Sequence, residues 1–142
     1  MNKASWIALT VGGVAITLLS LVSAAHAYRT TDDYGIGGSR VSKVAGGDAG
    51  LETALRGIRD TSAAYAAAFG VLFLAVVLGP YRRGDVWAWY ALLVAGLTQF
   101  VLVLLRIPII GTQLGISGAV MQVSVLVVGL LLGAGRLKGP AR

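Results

Sequence analysis

The sequence predicts an all-α integral membrane protein: a four-helix bundle with one long polar loop. Three observations carry that prediction. The chain of 142 residues is 56% hydrophobic and 13% charged, with a mean hydropathy of +0.79, whereas soluble domains carry about 25% charged residues. Its apolar residues are gathered into runs, three of which reach the ~20 residues that a helix needs to cross a hydrocarbon layer of ~30 Å. Its 20 glycines are spread along the chain with only three prolines, a composition that suits helices packed closely in lipid. The length allows one domain, residues 1–142.

The first span is read over residues 5–25, "SWIALTVGGVAITLLSLVSAA". Lys3 before it and Ala25-His26-Ala27 after it also give it the layout of a secretory signal cut ahead of Tyr28. The apolar run over residues 6–22 is longer than the usual signal core of about 7 to 15 residues, so the expectation is a retained helix and four passes. Removal of residues 1–27 as a signal peptide is the open alternative.

Three further spans are expected over residues 61–79, 86–105 and 114–134. Gly79-Pro80 is expected to stop the second, because proline has no N–H and disfavours helix in the residue before it; Pro108 is expected to stop the third in the same way. Trp6, Tyr81, Trp87, Trp89 and Tyr90 then fall at one membrane interface, where amphipathic rings settle.

Residues 26–60 form the expected polar loop. Its glycine-rich part reads as irregular, with a short strand-like "SRVSKV". From Asp48, a plausible N-cap, Leu51, Leu55 and Ile58 recur at helical spacing, which predicts an amphipathic helix at the outer interface leading into the second span. Glu52 with Arg56, and Arg56 with Asp60, are four apart and adjacent on such a helix.

Lys3, Arg82, Arg83, Arg136, Lys138 and Arg142 fall on one side of this arrangement, in short segments beside the helices. Arg29, Arg40, Lys43, Arg56, Arg59 and Arg106 fall on the other, five of them in one long loop that translocates more readily. Both termini and the turn over residues 80–85 are therefore expected in the cytoplasm, with residues 26–60 outside. Because the cations sit between apolar runs, the net charge of +6 and pI near 10.2 indicate membrane flanks and no nucleic-acid partner. Without cysteine there is no disulfide, thiolate metal site or cysteine nucleophile.

Arg59 and Asp60 stand at the head of the second span, where an unpaired charge is costly. The chain offers them His26 and Arg106 as partners, and with Tyr28 and Gln113 these residues make a candidate polar pocket at the outer mouth of the bundle. In the structural alternative, Arg59 and Asp60 lock the loop to the bundle while Arg106 snorkels to the headgroups. Gln99 and Gln122 lie at bilayer depth and need hydrogen-bond partners, so they are expected to face inward and bond each other; as ligand contacts they would recognise a carbonyl or hydroxyl. A lone histidine with no cysteine argues against a metal site. Small residues mark close helix packing: Gly13, Thr17, Ser20 and Ala24 on the first helix, and Gly118, Gln122, Gly129 and Gly133 on the fourth.

A first span ending in an aromatic and polar patch, a "YGIG" turn, "LRGIRD" leading into a small-residue helix, and an "RR" inner turn follow in that order. This order resembles the small four-helix membrane proteins of bacteria grouped as DoxX-like. The resemblance implies a compact bundle in the bacterial inner membrane with an arginine at the head of the second helix, and in some relatives an association with a quinone-linked oxidoreductase.

The sequence holds no Ser/His/Asp spacing, no carboxylate pair in a span and no phosphate-binding glycine loop, so the reading leans away from an enzyme. It favours a non-enzymatic subunit or accessory protein of a larger membrane assembly, with no cofactor beyond a bound lipid or quinone and with membrane lipids, a larger complex or a homo-oligomer as partners. The alternative is a binder of, or enzyme acting on, a small lipid-soluble molecule (a quinone, sterol or other isoprenoid) at the outer pocket. An oligomeric channel or transporter is least supported, since no charge lies well inside a span.

Overall fold

The computed structural model describes residues 3–29, 33–36, 39–111 and 116–135. In chain order the elements are α1 (Lys3–Tyr28), β1 (Gly35–Ile36), β2 (Ser39–Arg40), α2 (Val41–Ala45), α3 (Ala49–Val76) with a π-helical turn (Val77–Tyr81), α4 (Val86–Ile110) and α5 (Ile116–Gly133). Among the described residues four helices are long and apolar enough to cross a membrane, as the runs predict: Lys3–Tyr28, Ala49–Tyr81, Val86–Ile110 and Ile116–Gly133.

The helix ends differ from expectation. Pro80 does not stop the second span, because the backbone ladder shifts to wider turns around it. The Arg82 N–H reaches the Val77 and Gly79 carbonyls, and the Asp85 N–H closes on the Pro80 carbonyl at 3.0 Å. One extra residue in the turn absorbs the N–H that proline lacks. Pro108 likewise lies inside α4, in its last turn, where one lost ladder bond disrupts little. The helix instead ends at Gly111, whose φ of 73° only glycine adopts without strain and whose N–H caps the Ile107 carbonyl.

The segment after Asp48 runs into the second span, as expected. It is the first part of one helix of 33 residues, Ala49–Tyr81, about 50 Å long at the usual rise and so longer than a ~30 Å hydrocarbon layer. Asp48 starts it as expected: Oδ1 accepts the N–H groups of Gly50 at 2.8 Å and Leu51 at 3.0 Å. The loop before it is more ordered than its glycines suggest. Gly35 pairs with Arg40 and Ile36 with Ser39 in a small antiparallel hairpin, and "SRVSKV" divides between β2 and the short α2.

The chain forms two compact units, one of Met1–Val14 with Leu72–Arg142 and the other of Ala15–Val71. In the first, Leu9, Val77, Tyr81, Ala88, Leu92, Leu126 and Leu130 are buried. Glycines admit the neighbouring side chains: Leu126 lies against Gly96, Leu9 against Gly129, and Tyr81 with Ser5 against Gly133. Tyr81 is therefore a core residue and not an interfacial ring, whereas Trp87 and Tyr90 are exposed. The extra residue of the π-turn changes which way the following side chain faces. In the second unit Gly70 packs on Thr17, and Ala27, Tyr34, Val41, Ala45 and Ala63 are buried.

Candidate functional site

Within Ala15–Val71 the polar residues converge on Tyr34, which the hairpin places with 8% of its surface exposed. The Arg59 guanidinium lies 4.1 Å and that of Arg56 5.4 Å from the centre of the ring. A face-on guanidinium is attracted by the negative face of an aromatic ring. Each arginine is also held from another side. Arg59 Nε donates to Ser23 Oγ at 3.2 Å. Arg56 Nη2 pairs with Glu52 Oε1 at 2.8 Å, the i,i+4 pair anticipated from spacing, and its Nη1 donates to the Arg29 carbonyl at 3.0 Å.

Asp33 fastens the other edge of the hairpin. Its carboxylate accepts the Ser42 N–H at 3.0 Å and the Ser42 hydroxyl at 2.8 Å, while Arg40 donates to its backbone carbonyl at 2.6 Å. The bonds from the Ser42 amide and then its hydroxyl, with smaller help from Arg40 and Arg56, hold the Asp33 carboxyl below the usual carboxylate range.

Of the expected pocket residues, Tyr28 and Asp60 meet, the Tyr28 hydroxyl bonding the Asp60 carboxylate, while Arg59 is held by Ser23 and Tyr34. His26 and Arg106 are both exposed. Gln113 lies outside the described residues. Two buried polar atoms have no hydrogen-bond partner among the described residues, the Tyr34 hydroxyl and Asp60 Oδ1. Sequence reasoning missed Tyr34 and Ser23. The available signal was that Arg56 and Arg59, three apart, share a helix face.

The other unit holds two polar ties. Gln99 Nε2 donates to Gln122 Oε1 at 2.9 Å, the pairing expected of amides at bilayer depth. Ser5 Oγ donates to the Gly129 carbonyl at 2.7 Å and stands 2.6 Å from the Tyr81 hydroxyl, all three groups being buried. Beside this knot Trp89 Nε1 donates to the Leu130 carbonyl at 3.0 Å. Among the described residues no group of three or more His, Asp or Glu is placed to hold a metal ion.

No family model, no curated protein and no solved structure matches the chain. The likeness to the DoxX-like group therefore rests on the residues quoted for it alone.

Proposed function

We propose that the chain is a multi-pass membrane protein of the bacterial inner membrane acting as a non-enzymatic subunit or accessory protein. The observation that supports this most is how its polar groups are used. Within the long helices, Ser5, Tyr81, Trp89, Gln99 and Gln122 are bonded to other helices. Groups consumed in ties give a rigid scaffold. In this reading both termini and the Arg82-Arg83 turn are cytoplasmic and the hairpin with α2 is outside. The test is extraction of native membranes in mild detergent: a larger partner should co-purify with the chain, and recovery only as a free monomer counts against the reading.

A second reading has one observation in its favour. The unpartnered Tyr34 hydroxyl and Asp60 Oδ1 are groups that a small lipid-soluble carbonyl or hydroxyl compound, such as a quinone or sterol, would satisfy. Here Asp60→Ala should release a retained lipid while the protein stays folded. Unfolding in step with ligand loss would return Asp60 to a structural role.

A further inference from the structure

The charge of the chain is divided unevenly between its two units. In residues 15–71 the cations Arg29, Arg40, Lys43, Arg56 and Arg59 are matched by five acids, so the whole excess of +6 belongs to the other unit. The only acid there is Asp85. Among the described cations of that unit, Lys3, Arg82 and Arg83 are all exposed.

These three are gathered at one end by buried structure. Ser5, Tyr81 and the Gly129 carbonyl bond one another, and Trp89 bonds the Leu130 carbonyl. The start of α1, the end of the π-turn, the start of α4 and the end of α5 are thereby brought to the same level. Immediately outside the knot, the Arg82 guanidinium lies 4.9 Å from the centre of the Trp6 ring. No carboxylate pairs with Arg82 or Arg83 among the described residues. The ring covers one side of an otherwise exposed guanidinium, a group whose planar fork of N–H donors binds phosphate oxygens in pairs. Trp87 and Tyr90 are exposed at 58% and 52% on the first turns of α4, where rings of this kind enter the headgroup layer.

We propose that this end is a binding platform for acidic phospholipids, in which the Trp6-stacked Arg82 clamps the lipid phosphate and Lys3 and Arg83 form a cationic rim. Exposed aromatic rings beside long apolar helices favour a lipid over a nucleic acid as the source of the phosphate. The inference rests on the reading that the helices cross a membrane. It goes further by giving the bilayer leaflet a required composition, acidic headgroups on the Arg82 side.

The test uses the full chain in mild detergent, with native mass spectrometry against phosphatidylglycerol and phosphatidylcholine of the same acyl chains. Phosphatidylglycerol should be retained at least about tenfold more strongly, and the preference should fall as salt rises. Arg82→Gln should lower phosphatidylglycerol retention about fivefold and leave phosphatidylcholine unchanged. Arg82→Lys, which keeps the charge and loses the planar edge, should recover only part of it. Arg106→Gln, at the other end of α4, should change nothing. Circular dichroism checks that each variant is folded. Equal retention of the two lipids, an Arg106→Gln effect as large as that of Arg82→Gln, or retention of nucleic acid in place of phosphatidylglycerol overturns the proposal. Release of the chain from membranes by alkaline carbonate would instead overturn the membrane reading, and this is scored separately from lipid preference.

Discussion

In Ala15–Val71 charges are balanced and several are tied down, with two arginines on one tyrosine and carboxylates capping helices and bracing a hairpin. In Met1–Val14 with Leu72–Arg142 the described interior ties are made by neutral groups, hydroxyl, amide and indole, and the cations stand at the surface. Neutral hydrogen bonds cost less to bury than ions do, so they suit helices packed in an apolar medium. Ion pairs and guanidinium stacking suit a region with water nearby, where they add specificity at modest energetic cost. The contrast assigns the two units different sensitivities: charge should govern Ala15–Val71, and packing Met1–Val14 with Leu72–Arg142.

Gly133→Ala should give the largest effect. A Cβ there meets the Tyr81 hydroxyl and lies 2.8 Å from Ser5 Oγ, so the buried knot must open. A loss of about 3 kcal/mol is expected from overpacking together with an unsatisfied hydroxyl. Gly118→Ala, on the same helix with nothing within 4 Å, should be neutral or slightly stabilising, since alanine favours helix. Denaturant unfolding in detergent compares the two. Equal effects would remove the claim that packing at this knot limits stability.

Arg59→Ala comes next and bears on the other unit. It removes the closer stacking partner of Tyr34 and the bond to Ser23, which together contribute about 1 to 2 kcal/mol. The loss should be local: hydrogen exchange should rise over β1, β2 and α2 and stay unchanged over α4 and α5. A uniform rise would show that the two units unfold as one.

Gln99→Leu or Gln122→Leu should each cost about 1 kcal/mol by stranding one amide, while the double variant should be close to wild type. This cycle measures the tie directly. Additive losses in the double variant would mean that the amides act on other partners.

How much of this was legible in the sequence follows from the range over which each cause acts. The long helices were legible because hydropathy sums over some twenty residues, and the Gln99–Gln122 tie was legible because an amide at that depth has few alternatives. The end at Pro108 was misread because a proline in a last turn disrupts little, and that at Pro80 because the rule for proline assumes an α-helical ladder on both sides. A ladder that widens by one residue evades the rule, and Tyr81 moved from interface to core with it. Tyr34 could not be placed from the sequence: it lies in an aperiodic stretch after Asp33 and before Gly35, and only the fold of the hairpin brings it under two arginines from a helix later in the chain. Of the candidate pocket, Tyr28 and Asp60 were legible as neighbours, whereas the Arg59 partners Ser23 and Tyr34 depend on how the hairpin and α1 fold against α3.

The smallest expected effect is a pH dependence confined to the hairpin. Asp33 is held below its ordinary value of 3.8 by the Ser42 N–H and hydroxyl first, then by Arg40 and Arg56. A carboxyl whose pKa is depressed in the folded state contributes stability that is fully present above its unfolded value and is lost as pH falls through the folded value. The hairpin should therefore be indifferent to pH from neutrality down to about 4 and loosen only below that. The measurement is the exchange protection of the Ser42 amide across this range: it should drop in acid in the wild type, and in Asp33→Asn it should be low and flat, because an amide oxygen accepts the same bonds more weakly. If protection fell instead between pH 5 and 7, a group other than Asp33 would be controlling the loop. The assignment of Ala15–Val71 as a region ordered by its carboxylates would then fail.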